Sequence, residues 1–173
     1  FSRDMNYVFR YEDLFRVLFN RLKEMIPFVY GCAIMGAHKQ KRGFAYYACT
    51  IDEEEEESIK SRLVDKLREY LPNFNGELLD TSIIMGNDFE ESRCSSIKSE
   101  LIKPIWVGDE IEGLLYLGAD DAIDFSDDQL WFIETLIGQS SEPFKRLEGF
   151  LKQENNRLLQ LVSGLPEGLV MLN

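Results

Sequence analysis

Apolar residues recur every three or four positions at the start of the chain. Tyr7, Tyr11, Leu14, Leu18, Leu22 and Met25 fall on one stripe of a helix spanning roughly residues 7–26. Pro27 ends it, because the residue before a proline avoids the helical region. The period then shortens. Two apolar runs, Val29 to Met35 and Phe44 to Thr50, flank the basic stretch Gly36-Ala-His-Lys-Gln-Lys-Arg-Gly43, which reads as a hairpin with a long exposed connection.

Asp52 opens a second helix, with Glu55 placed as its reciprocal capping partner. The acidic run 53–57 sits where the helix dipole favours negative charge, and Ile59, Leu63, Leu67 and Tyr70 form the stripe to be buried. Pro72 and Asn75-Gly76 stop this helix. A third strand runs from Leu78 to Met85, and the polar segment Gly86 to Lys98 follows it. Ser99 to Val107 and Ile111 to Gly118 form a hairpin about Gly108-Asp109-Glu110. Pro104 requires a bulge or an unpaired position in the first of these strands. The last helix starts at Ser126, with Gln129 completing a capping box and Phe125 and Leu130 forming a hydrophobic staple.

The strands are almost continuously apolar, so the sheet is expected to be covered on both faces. The first and last helices would take one face. The middle helix and the Gly86–Lys98 segment would take the other. The class is α+β, with a central antiparallel sheet.

The last helix carries a longer pattern. Leu130, Ile133, Ile137, Ser140, Phe144, Leu147, Leu151, Glu154, Leu158, Leu161 and Leu165 alternate spacings of three and four, which is a heptad ladder. Carried to Ser163, the helix would be about 57 Å long at about 1.5 Å per residue. Its first half can cover the sheet. The second half has a use if it pairs with a second copy in a parallel homodimer. Pro143 removes a helical hydrogen bond, and marks where the helix is expected to leave the domain. Glu154 places a charge on the seam.

Composition narrows the function classes. The 173 residues are 45% hydrophobic and carry a net charge of −12, so the chain can bury a core but would be repelled by phosphate backbones and anionic lipid. Neither nucleic-acid binding nor direct membrane contact fits. Cys32, Cys49 and Cys94 are odd in number and widely spaced, which argues against a disulfide framework or a zinc site and fits a reducing, cytoplasmic setting. No metal site is expected. The run 52–57 reads as a solvated helix start. His38, the one histidine, lies in the basic connection without an orienting carboxylate near it in sequence, so a Ser-His-Asp triad has no support. No phosphate-binding Gly-x4-Gly-Lys-Ser/Thr loop occurs.

The stretch Ser99-Glu-Leu-Ile-Lys-Pro-Ile-Trp-Val107, then Glu112-Gly-Leu-Leu-Tyr-Leu117, then Phe125-Ser126, resembles the GAF family, as does the order of elements over roughly residues 5–150. The resemblance implies a five- to six-stranded sheet of order 2-1-5-4-3 and a small-molecule pocket between one sheet face and the Gly86–Lys98 roof. Cys32, Tyr47, Met85, Phe89, Cys94, Trp106 and Tyr116 are the candidate ligand-binding residues, and plain core packing is the alternative for each. The ligand is not named by the residues. Gly113 is expected to start a strand that passes the helix layer closely. Gly164-Leu-Pro-Glu-Gly-Leu-Val-Met-Leu-Asn173 resembles the start of a PAS domain. The implied organisation is a GAF domain over 1–149, a signalling helix over 150–163 and the opening of a PAS-like domain over 164–173, within a sensor histidine kinase or diguanylate cyclase.

The family's cyclic-nucleotide signature, Asn-Lys-x-Phe-Asp-Glu, is missing, and no cysteine adjoins a histidine as in bilin-binding relatives. Arg93-Cys94 before Ser99-Glu100-Leu101 is similar in outline to free methionine sulfoxide reductases, but Cys32 and Cys49 lie inside strands, away from that family's paired positions, so a resolving thiol near Cys94 is hard to supply. The leading expectation is therefore a regulatory, non-enzymatic sensor that relays through its last helix. A ligand-free dimerisation module, and a thiol redox sensor or reductase, are the alternatives.

Overall fold

The computed structural model describes residues 11–35, 41–72, 74 and 78–164. Among the described residues three helices and five strands follow in order: α1 (Tyr11–Met25), β1 (Tyr30–Met35), β2 (Lys41–Thr50), α2 (Glu53–Tyr70), β3 (Leu78–Arg93), β4 (Ser99–Val107), β5 (Glu110–Ala119) and α3 (Asp127–Gly164). One sheet joins all five strands in the order β3-β2-β1-β5-β4. The α+β class holds, and the layering is the one the GAF resemblance implies.

Two apolar layers sandwich the sheet. Phe15, Phe19 and Leu22 of α1 and Ile133, Ile137 and Phe144 of α3 pack on Ala33, Phe44, Tyr46, Ile105, Leu115 and Leu117. On the opposite face Ile59, Leu63 and Leu67 of α2 pack on Tyr30, Cys32, Ile34, Ala45, Leu114 and Tyr116. Alternation along β1 splits Cys32 from Ala33 and so feeds both layers at once, which is why that strand is apolar throughout.

The run β2-β1-β5-β4 is the expected one. β3 differs: it lies outside β2, not beside β4, and it runs parallel to β2. The sheet is therefore mixed. The reason is α2, whose 18 residues carry the chain back across the sheet, so that the next strand starts at the end where β2 started. The polar segment also differs. Gly86 to Arg93 continues β3, leaving only Cys94–Lys98 as a connection, so no roof forms from Gly86 to Lys98.

The sequence-level cap chemistry is largely present. The Ser126 hydroxyl accepts from the Gln129 backbone N–H at 3.2 Å, and the Gln129 side chain accepts from the Ser126 N–H at 3.0 Å. Asp52 caps α2 by accepting from the Glu54 N–H at 3.1 Å. Glu55 does not close that box; its carboxylate accepts from the Ile97 N–H at 2.7 Å and ties α2 to the β3–β4 connection. Asp52→Ala should cost about 1 kcal/mol, read as a lowered denaturant midpoint with unchanged slope.

Four further expectations shift. On α1 the buried stripe is Phe15, Leu18, Phe19 and Leu22, while Met25 is 51% exposed; Tyr7 lies outside the described residues. Lys41, placed by sequence in the exposed connection, is buried at the start of β2, where its ammonium donates to the Glu112 carbonyl at 2.8 Å. Pro104 stays in register with Leu114 on the edge strand β4, and the bulge follows it between Ile105 and Trp106. Helix α3 runs unbroken through Pro143, and Phe144 and Leu147 beyond it are still buried, so the helix leaves the domain after Leu147. Leu158 and Leu161 are more than half exposed, and the side chains of Leu151 and Leu165 lie outside the described residues. So does residue range 165–173, the PAS-like start.

Candidate functional site

The face of the sheet under α2 gathers four polar or polarisable side chains from three strands. Tyr30 and Cys32 come from β1, two residues apart and therefore on one side. Register sets Tyr47 of β2 opposite Tyr30, and Tyr116 of β5 opposite Cys32. The Tyr30 ring lies edge-on to Tyr47, with centroids 5.3 Å apart, and 6.1 Å from Tyr116.

Helix α2 brings charge to the rim. The Tyr47 hydroxyl donates to the Glu56 carboxylate, which Lys60 also reaches at 3.2 Å. Arg62 pairs with Glu100 of β4, beside Tyr116. Burial is the main reason the Tyr30, Tyr47 and Tyr116 hydroxyls are pushed well above the ordinary phenol range, with nearby acids adding to it. Burial pushes the Cys32 thiol up to about 12. All four groups therefore stay protonated at neutral pH. They can donate hydrogen bonds but cannot act as ready nucleophiles.

Tyr30 and Tyr116 are at most 1% exposed. Among the described residues neither hydroxyl has a hydrogen bond of ordinary geometry, although Cys32 adjoins one and Glu100 the other. Buried hydroxyls normally have a partner, since an unmet one costs about 1–3 kcal/mol.

Of the sequence candidates, Cys32, Tyr47 and Tyr116 come together here. Tyr30 was missed, although its i, i+2 relation to Cys32 in an apolar strand places it on the same face. Met85 is adjacent in register to Tyr47 but 51% exposed, because α2 does not reach the β3 edge. Phe89 lies in the outer part of β3 and is half-buried, and Trp106 is 45% exposed near the end of β4. These three line no common site with the tyrosines.

Cys94 lies elsewhere. It is bonded to Cys49 with their Cα atoms 5.8 Å apart, which corrects the expectation that no disulfide forms and that Cys94 lacks a nearby thiol partner. Sequence spacing hides the pair, since 45 residues separate the two cysteines and only the parallel return of β3 joins them. The disulfide lines an open cleft of about 380 Å³ with Lys23, Asp88, Arg93 and Asp120. Burial lowers the Lys23 ammonium from its usual range, Asp120 and Asp88 partly offset this, and the group donates to the Phe28 carbonyl. His38 lies outside the described residues. No described helix is long and apolar enough to cross a membrane.

No family model and no curated protein sequence matches the chain. A solved structure described as the GAF domain of a two-component sensor histidine kinase from Bacillus halodurans is similar, at 19% identity over 82% of this chain and 98% of that one, with a TM-score of 0.49. A likeness that distant assigns no function, and the functional reading rests on the side chains above.

Proposed function

We propose that the chain is a regulatory sensory domain that takes up a small, hydrogen-bond-accepting molecule between the sheet and α2 and relays its presence through α3, as a homodimer within a larger signalling protein. The observation that carries this reading is the pair of buried hydroxyls, Tyr30 and Tyr116, without a hydrogen bond of ordinary geometry among the described residues. Cys32 and Glu100 stand beside them, and a water or a ligand acceptor would complete their hydrogen bonding. The four protonated groups suit recognition better than catalysis.

The relay follows from connectivity. Layers on both faces share β1, so a displacement of α2 is transmitted to the α1–α3 side through strands packed on both sides. Beyond Leu147, α3 presents Leu158 and Leu161 on the heptad seam without described cover from its own chain.

A second reading has its own support. Ile59, Leu63 and Leu67 pack directly on the tyrosine layer, which fits a relay module that binds nothing.

Native mass spectrometry of the purified domain, followed by a thermal-shift screen of polar metabolites, separates the two. Tyr30→Phe and Tyr116→Phe should each weaken the bound molecule about tenfold, roughly one lost hydrogen bond, while leaving the ligand-free domain as stable or more so. A domain that never carries or accepts a small molecule supports the second reading. Leu158→Glu with Leu161→Glu should convert a sedimenting dimer to monomer; an unchanged mass would remove the dimer from both.

A further inference from the structure

The end of β3 is poorly held. Met85 pairs with Tyr47, but Glu90 pairs with Cys49 and Arg93 with Thr50, so β3 spends five residues where β2 spends two, and then three where β2 spends one. Two local ties accompany this irregular ladder: the Cys94 N–H donates to the Thr50 carbonyl at 2.9 Å, and the Thr50 hydroxyl donates to the Glu91 carbonyl at 3.1 Å. The Cys49–Cys94 bond is the covalent one. Two residues past Thr50, Asp52 caps α2, and three past Cys94, Ile97 bonds Glu55 of the same helix. The disulfide thus lies within a few residues of two of the ties that hold α2 to the sheet.

Both cysteines are half-buried and face the cleft, unlike fully buried Cys32. Lys23 and Arg93 give the cleft wall positive charge for a carboxylate, while Asp88, Glu90 and Asp120 give it acceptors for ammonium groups.

We propose that Cys49–Cys94 is a reversible thiol-exchange site for a low-molecular-weight thiol bearing charges of both signs, and that its reduction frees the β3–β4 connection and the start of α2. A concave, doubly charged cleft suits such a molecule better than the flat face of a protein oxidoreductase. The thiolate of one external thiol attacks one sulfur; the protein S–S bond breaks, and the other cysteine leaves as a thiolate and takes up a proton. A second external thiolate then attacks the mixed disulfide. The net change is two external thiols oxidised to one disulfide and one protein disulfide reduced to two thiols. The inference needs only these sulfurs and the cleft, and stands whether or not the tyrosine layer binds anything.

The test uses the air-oxidised chain and reduced glutathione as probe. In native buffer, alkylation and peptide mapping should find Cys49 and Cys94 newly labelled, Cys32 unlabelled, and a trapped glutathione adduct on one of the pair. Oxidised glutathione should reverse this. Amide hydrogen exchange over 94–98 and 50–56 should rise about tenfold or more on reduction while β1 and β5 stay protected. Labelling that needs denaturant would make the bond a static staple and overturn the proposal. Reduction by thioredoxin but not by glutathione would also overturn it, pointing to a protein partner. So would efficient exchange with no change in hydrogen protection, which would deny the coupling to α2. None of these outcomes depends on a variant that must first fold.

Discussion

Gly113→Ala should lower stability by about 3 kcal/mol or more, enough to move the melting temperature by roughly 6–12 °C in a domain of this size. A Cβ built on Gly113 would lie 2.0 Å from the Ile34 carbonyl oxygen and 3.0 Å from the Met35 sulfur. The obstacle is main chain of the central strand, so relief means pulling β5 away from β1. The substitution at Gly138 supplies the internal contrast. Nothing lies within 4 Å of a Cβ there, and the residue is exposed inside α3. Gly138→Ala should stabilise by about 0.5–1 kcal/mol. Paired denaturant melts of the two variants check both signs. Equal effects would show that β1 and β5 are not held at this separation.

The second large effect concerns the crosslink. Closing a loop of 45 residues restrains the unfolded chain by about 4 kcal/mol in the chain-entropy picture. Cys49→Ser, or full reduction, should therefore drop the melting temperature by roughly 8–16 °C. Cys49→Ser and Cys94→Ser should cost nearly the same, and the double variant should cost little more than either, because the bond is lost once. Differential scanning calorimetry of the three variants against oxidised and reduced parent makes the comparison. Additive losses would indicate that each side chain matters for its packing and not for the bond.

Local chemistry was legible in the residues. Ser126 and Gln129 announce their reciprocal cap because both partners lie within one helical turn. Ile59, Leu63 and Leu67 announce the inner face of α2 through spacing alone. The division of the helices between the two sheet faces also followed, from strands too apolar to face water. What failed was anything fixed by a long return of the chain. β3 pairs parallel to β2 only because α2 spans the sheet, and no residue in β3 encodes which edge it will join. The Cys49–Cys94 bond is a by-product of that pairing and was hidden with it. The glycine reading failed in a related way. The close crossing of helix over strand occurs at Gly31, whose missing Cβ would sit 2.6 Å from the Phe19 ring, whereas Gly113 meets a neighbouring strand. Both are glycines in strands, and the sequence does not say what presses on each. In the tyrosine layer, residue type pointed to Tyr47 and Tyr116, but only registry across β1 shows that Tyr30 completes the set.

The position of β5 between β1 and β4 bears on how the molecule is made. β1 is complete at Met35, yet one of its two neighbours ends at Ala119. A nascent chain leaving the ribosome at about 5–20 residues per second must hold a half-paired, apolar strand in check for several seconds. During that interval β2 can pair with one edge and α1 and α2 can cover the faces, but the other hydrogen-bonding edge stays open. Fragments truncated before residue 110 should therefore demand chaperones and aggregate, whereas those extending through α3 can close the sheet.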